Sequence, residues 1–301
     1  MNIKQILILS AVVLMAAGCT GPFGSGVSGA GVAKTTNGGS DWLFANKATV
    51  PTTAKKKVKQ SDSALASSSV FAMKFVPGNT KRLYAATQTN GLFYSENAAD
   101  SWSQLLQDFG AYDVAVDPAN SDRIFVVGRA DTQARVLLTT NGGKSWDEVY
   151  NDAAADNIAR SVAIDPADPN TIAVGLTSGN LILSRDGGAT WSLVQNFQDQ
   201  VTQLVWHQNR TLYVLIRSKG VYKSTDRGTT VQPISEPLLN FEKWRERILA
   251  LNPTASTTAS ASLDLPAQQT SVFYKLAVGD NPNILYAGAN NGLFFSADGG
   301  Q

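Results

Sequence analysis

Six acidic or amide side chains recur at one place in a repeated motif: Asn37, Asn97, Asn141, Asp186, Asp226 and Asp298. Carboxylates can serve as general acids, bases or nucleophiles, and clusters of them can hold a cation. Here each stands alone in its own copy, in TTNGGSDW, SENAADSW, TTNGGKSW, SRDGGATW, STDRGTTV and SADGGQ. The copies follow one another at separations of 60, 44, 45, 40 and 72 residues. One such residue per hairpin, spaced this far apart, cannot assemble a coordination shell, so neither a metal site nor a cofactor is expected. The chemistry that fits is local. An Asp or Asn oxygen accepts backbone N–H groups of its own loop, and a glycine pair such as Gly187-Gly188 supplies positive-φ conformations that other residues resist.

Other reactive types are sparse. The chain has one histidine, His207, which excludes a multi-histidine metal site. Asp117 and Asp165 each precede a proline, which marks them as turn residues between two short strands. No Ser-His-Asp, Cys-His or phosphate-loop pattern is present, so no catalytic residue is assigned. Charge is balanced at 25 Lys+Arg against 24 Asp+Glu, and nucleic-acid binding is set aside for want of a basic excess.

The elements that must carry the motif can be read around it. Upstream lie two apolar segments joined by turn residues, as in DVAVDPANSDRIFVVG and SVAIDPADPNTIAVG. A glycine then opens a third strand (GLFYS, GNLILS, GVYKS, GLFFS), the motif follows, and a fourth strand starts at its last residue. Four strands in about forty residues make one blade of a β-propeller. Trp42, Trp102, Trp146 and Trp191 close four of the copies and are large enough to wedge against a neighbouring blade. The copies are uneven: Ala98-Ala99 replaces one glycine pair, and Val231 replaces one tryptophan.

These units resemble Asp-box repeats, also called bacterial neuraminidase repeats, over roughly residues 31–301. The repeats are shared by sialidases, sortilin-type receptors, some endoglucanases and propellers similar to the photosystem II assembly and stability factor. The resemblance implies an all-β propeller in which Asn37, Asn97, Asn141, Asp186, Asp226, Asp298 and the four tryptophans are structural. Sialidases carry an Arg-Ile-Pro signature that is absent here, since Arg123-Ile124 is followed by Phe125. Asp-box endoglucanases use two carboxylates across a cleft, and such a pair cannot be singled out when every turn holds an aspartate.

The N-terminus reads as an export leader. Met1–Gly18 has Lys4 in a short polar head and an apolar run from Ile6 to Ala17, too short to span a bilayer. Its end, Met15-Ala16-Ala17-Gly18-Cys19, resembles the lipobox of bacterial lipoproteins, which implies that Cys19, the only cysteine, carries lipid and becomes the mature N-terminus. Residues 19–31 then form a Gly/Ser-rich tether.

Two insertions interrupt the blades. Residues 47–69, with Lys55, Lys56, Lys57 and Lys59, read as a solvated linker; residues 235–270 contain one helical pattern, Asn240–Asn252, with Phe241, Trp244, Ile248 and Leu251 on one face.

Five blades begin near Val70, Asp113, Ser161, Val201 and Val272, preceded by a half-blade that starts at a third strand, and the repeat arithmetic favours a six- or seven-bladed ring that is C-terminally incomplete in residues 32–301. The fourth strand beside Gly292–Ser296 is expected to be missing unless the strand after Trp42 stands in. Function is expected to be non-catalytic binding of a protein partner or a surface glycan, as a scaffold or assembly factor. The protein is expected to be lipid-anchored in the bacterial envelope, outside the cytoplasmic membrane or in an outer membrane. The alternative is a sialidase- or endoglucanase-like glycoside hydrolase.

Overall fold

A computed structural model describes residues 31–37, 39–49, 63–234 and 271–300. Every sheet in it is antiparallel, and the expected all-β propeller class and five blades are present. The chain divides into two compact units, Met1–Ala159 and Arg160–Gln301.

The first unit opens on a hairpin of β1 (Ala33–Lys34) and β2 (Leu43–Phe44). Its first blade holds β3 (Val70–Val76), β4 (Asn79–Thr87), β5 (Gly91–Ser95) and β6 (Ser103–Leu106) in sequence order. The second holds β7 (Gly110–Val116), β8 (Ile124–Ala130), β9 (Gln133–Thr139) and β10 (Asp147–Ala155), so this blade starts three residues before the expected Asp113. Leucine, alanine, valine and aromatic side chains fill the middle strands because both faces of a blade are covered by neighbours. Ala72, Tyr84, Leu92, Ala111, Val114 and Val126 meet in one buried cluster between the two blades.

Residues 63–69 depart from the solvated linker expected of them. Ala64–Ser67 forms a short 3-10 helix that buries Leu65 completely, in a cluster with Val32, Ala45, Leu83, Phe93 and Trp102. An isolated leucine among serines gives no periodicity to read, yet it fills the face of the first blade beside the N-terminal hairpin. Trp102 is anchored there, its indole N–H donating to the Ala45 carbonyl at 2.6 Å. The leader, the tether, Cys19, the Lys55–Lys59 run and the Asn240–Asn252 pattern lie outside the described residues.

The second unit has β11 (Ala159–Ile164, whose first residue falls at the unit boundary), β12 (Ile172–Leu176), β13 (Asn180–Ser184) and β14 (Ser192–Asn196) in one blade. A second blade has β15 (Val201–Trp206), β16 (Leu212–Ile216), β17 (Gly220–Ser224) and β18 (Gln232–Pro233). The last has three strands among the described residues, β19 (Phe273–Val278), β20 (Leu285–Ala289) and β21 (Gly292–Ser296), and β21 has no partner on its outer side among them. Val231, standing where other copies have tryptophan, is buried with Leu183, Leu212 and Val214 between two blades.

The motif hairpin between third and fourth strands has one hydrogen-bond pattern throughout. In SRDGGATW, the Ser184 hydroxyl donates to Asp186 Oδ1 at 2.8 Å and accepts the Gly188 N–H at 2.8 Å, while Asp186 Oδ1 accepts the Thr190 N–H at 2.9 Å. The pattern repeats around Asn97, Asn141 and Asp226 with distances between 2.7 and 3.0 Å. It also repeats around Asn37, and around Asp298 the two bonds of Ser296 are kept. Two consecutive residues take left-handed φ, for example Gly187 at 79° and Gly188 at 100°, and Ala98 and Ala99 are held at 55° and 69°. The residue four after the Asp or Asn is matched to it: Asn97 and Asn141 donate through Nδ2 to Ser101 and Ser145, whereas Asp186 and Asp226 accept from the Thr190 and Thr230 hydroxyls.

Those donors depress two acidities. The Thr190 hydroxyl, then the Thr190 N–H and the Ser184 hydroxyl, hold Asp186 at about 2, and Thr230 and Ser224 do the same to Asp226, also at about 2. An unfolded aspartate titrates near 3.9, so this stabilisation is complete above that pH and is lost as pH falls toward 2.

Two outcomes follow from the hairpin. Gly188→Val should lower unfolding stability by about 1–3 kcal/mol, and Ala98→Gly should raise it by about 0.5–1 kcal/mol by releasing left-handed strain, both read in denaturant titrations. A Gly188→Val midpoint equal to wild type would contradict the hairpin account. Asp186→Asn with Asp226→Asn converts both copies to the Asn97 type; the neutral-pH melting temperature should be kept while the loss of stability between about pH 4 and 2 shrinks. An unchanged acid limb would show that these carboxylates do not sense the fold.

Candidate ligand-binding end of the blades

An antiparallel blade puts the turns after its first and third strands at one end, and the turn after its second strand, with the link to the next blade, at the other. The motif end is dense with internal bonds, although Trp146 Nε1, Asp165 Oδ2, Trp206 Nε1 and Arg227 Nε are buried there without a hydrogen-bond partner. The fourth motif residue donates its N–H to the first turn in each blade where it was found: Ala98 to Lys81 at 2.7 Å, Gly142 to Asp122 at 2.9 Å, Gly187 to Asn170 at 3.0 Å and Gly299 to Asn283 at 2.8 Å. Asp117 Oδ1 accepts the Ala119 N–H at 2.8 Å and its Oδ2 meets Arg123 at 2.9 Å; Ile124 and Phe125 beyond are fully buried. Asp165, fully buried, accepts the Ala167 N–H at 2.9 Å, and Arg227 lies 3.8 Å from its other oxygen while bonding Asp168. His207 Nδ1 accepts the Asn209 N–H at 3.3 Å, so Nε2 carries the proton and donates to the Asp280 carbonyl at 3.2 Å, tying two blades together.

The four motif tryptophans differ in what they do. Trp102 is buried against the N-terminal hairpin, Trp146 packs on the cluster between the first two blades, and Trp191 donates its indole N–H to Gly188 of its own loop at 3.1 Å. Trp42 is partly covered and follows the Asn37 hairpin. A cleft of about 330 Å³ beside that hairpin is lined by Lys34, Asn37, Asp41, Phe44 and Asp100. Its charged and amide groups already bond one another, Lys34 to Asp100 and Asn37 to Asp41, which leaves little to recognise a ligand. Among the described residues no group of acidic, histidine or cysteine side chains could hold a metal ion, and no helix is long and apolar enough to cross a membrane.

The opposite end is built differently. In four blades the first strand carries a β-bulge near its start, where one residue drops out of register: Phe71, Tyr112, Thr202 and Tyr274. A bulge re-aims its extra side chain out of the regular alternation. In the first unit Phe71 and Tyr112, on the neighbouring strands β3 and β7, stack at 4.6 Å between ring centroids with 14° between planes. In the second unit Tyr274 is exposed, and β15 and β19 are clamped by Gln203, which accepts the Leu276 N–H at 2.9 Å and donates to its carbonyl at 3.1 Å. Ser161 makes the corresponding bond to the Leu204 N–H at 3.0 Å. The loops of this end also hold exposed carboxylates with left-handed φ, Asp108, Asp131 and Asp156, in the first unit.

Sequence reasoning missed the bulges, because one extra residue in a strand of six or seven looks like ordinary variation in spacing. It also missed the clamp, although a lone Ser or Gln inside an apolar first strand was a readable signal.

Residues 118–240 match the DUF6242 beta propeller domain. The chain is similar to the xyloglucanase Xgh74A of Acetivibrio thermocellus, 24% identical over 196 residues that cover 49% of this chain and 23% of that one. It is likewise similar to a xyloglucanase of Paenibacillus sp, 26% identical over 211 residues, covering 52% of this chain and 20% of that one. Among solved structures, the GH74 enzyme of Niastella koreensis superposes with a TM-score of 0.57 at 21% identity, over 77% of this chain and 37% of that one, a likeness of fold. The matched stretch spans less than a quarter of those curated relatives. These relatives overturn the expectation that the chain is not an enzyme. That expectation rested on a missing sialidase signature and a single histidine, whereas glycosidic cleavage asks only for two suitably placed carboxylates.

Proposed function

We propose that this chain is the propeller portion of a glycoside hydrolase acting on xyloglucan-type β-glucan, with substrate held at the bulged end of the blades. The observation that carries the reading is the recurrence of xyloglucanases among the curated relatives. The local chemistry agrees with it. Flat aromatic rings such as Tyr274 and the Phe71–Tyr112 stack suit the C–H faces of pyranose rings. In the first unit, Asp108, Asp131 and Asp156 supply the carboxylate type that an acid and a base require, in loops at the end of the blades that carries the Phe71–Tyr112 stack.

We further place the protein at the bacterial envelope, anchored through lipid at Cys19, as the leader and its lipobox-like end support. A protein partner at that surface is the remaining proposal for its surroundings.

Xyloglucan should retard the chain in affinity electrophoresis, and Tyr274→Ala or Phe71→Ala should each weaken that retention by about 2- to 10-fold. Release of reducing ends from xyloglucan should fall when Asp108, Asp131 or Asp156 is replaced by asparagine; no retention and no release by the unaltered chain would reject the reading. Separately, Cys19→Ala should move the protein from the detergent phase to the aqueous phase, and unchanged partitioning would remove the anchor.

A further inference from the structure

The bulged end of the second unit carries positive charge that its own folding does not consume. Three segments meet there: residues 197–200 before β15, the turn 217–219 between β16 and β17, and residues 271–275, which run into β19. Backbone bonds join them, the Arg217 N–H donating to the Gln200 carbonyl at 3.0 Å and the Phe273 N–H to the Arg217 carbonyl at 2.7 Å. Their charged side chains are Asp199, Arg217, Lys219 and Lys275, one anion against three cations. Asp199 is spent inside the turn. Its Oδ2 accepts the Ser218 N–H at 2.7 Å and the Ser218 hydroxyl at 2.6 Å, and its Oδ1 accepts the Gln200 N–H at 2.8 Å. The Lys219 ammonium is held at this end by the Phe197 carbonyl, at 2.6 Å. Arg217 is exposed, and its side chain has no hydrogen bond or ion pair among the described residues. The corresponding turns of the other blades, residues 88–90, 131–132, 177–179 and 290–291, contain no cation. The residue after Phe273 is Tyr274, bulged and 53% exposed, so one backbone bond separates the exposed cation from an exposed ring.

We propose that Arg217 binds the carboxylate of an acidic sugar unit in a glycan stacked on Tyr274, with Lys219 and Lys275 adding attraction for the same charge. This rests on the bulged end holding a glycan, and it adds an acidic unit to the substrate class. A planar guanidinium offers two parallel N–H groups that match both oxygens of a carboxylate. A pyranose ring lying on a phenol face leaves its exocyclic carboxylate at the ring edge, where a cation on the adjoining turn can meet it. With Asp199 committed to Ser218 and Gln200, the charge complementary to Arg217 has to come from the ligand.

Calorimetric titration of the full chain with two probes, an oligogalacturonate and a neutral xyloglucan oligosaccharide, tests the proposal. The oligogalacturonate should bind at low ionic strength, and Arg217→Gln should weaken it by about 3- to 10-fold while xyloglucan binding stays as it was. That difference should shrink at about 0.5 M NaCl, where exposed charges are screened. Tyr274→Ala should weaken both glycans. The Arg217 side chain is exposed and its backbone bonds survive substitution, so the melting temperature of Arg217→Gln should equal that of the unaltered chain. Arg217→Lys, which keeps the charge and loses the planar fork, should restore only part of the affinity. Xyloglucan binding without oligogalacturonate binding, or equal oligogalacturonate affinity in Arg217→Gln, would overturn the proposal and leave the glycan reading standing. Oligogalacturonate binding that ignores Tyr274→Ala would also overturn it, since charge alone would then hold the anion. Binding of neither glycan would reject both readings together.

Discussion

Everything else in this protein depends on how the third and fourth strands of a blade are joined. Two successive residues are held in the left-handed region, and one hydroxyl and one Asp or Asn oxygen close the loop around them. The closure is tight enough to keep Ala98 and Ala99 where glycine is preferred. It also fixes the height of the fourth strand and, through the N–H to the first turn, locks both turns at that end together. Repetition of this unit gives each blade the same shape, and stacking then buries the apolar faces that no blade can bury alone.

That arrangement divides the blade chemically. At the motif end the hairpin hydroxyls and Asp or Asn side chains are committed to their own loops, so mutation there changes stability. At the other end the first strands are bulged, their extra side chains are aromatic in three of the four bulges, and the backbones of successive first strands in the second unit are pinned by Ser161 and Gln203. Rigid strands presenting re-aimed side chains are the setting in which ligand sites are found. The likeness to xyloglucanases gives that end a substrate class to be tested.

Much of the fold was legible because the motif is long, contains glycine pairs and repeats. The Asp and Asn positions could be read directly, but Ser184, Thr139 and their equivalents look like ordinary strand ends, although their hydroxyls take part in two of the three bonds of the loop pattern. The pairing of Asn with an accepting Ser or Asp, and of Asp with a donating Thr, four residues later is a rule of donors and acceptors that composition does not show. Leu65 went unread because a single buried residue has no period. Function was legible least: the carboxylate pair that glycosidic cleavage requires is defined by its separation in space, and aspartates in many turns cannot be sorted into such a pair by spacing along the chain.

The division between the two ends is the central claim, and amide exchange with and without a xyloglucan oligosaccharide tests it most directly. Slowed exchange should gather around Phe71, Tyr112, Thr202 and Tyr274 and in the loops of Asp108, Asp131 and Asp156, with the hairpins of Asn97, Asn141, Asp186 and Asp226 unchanged. Protection centred on those hairpins, with none at the bulges, would contradict it.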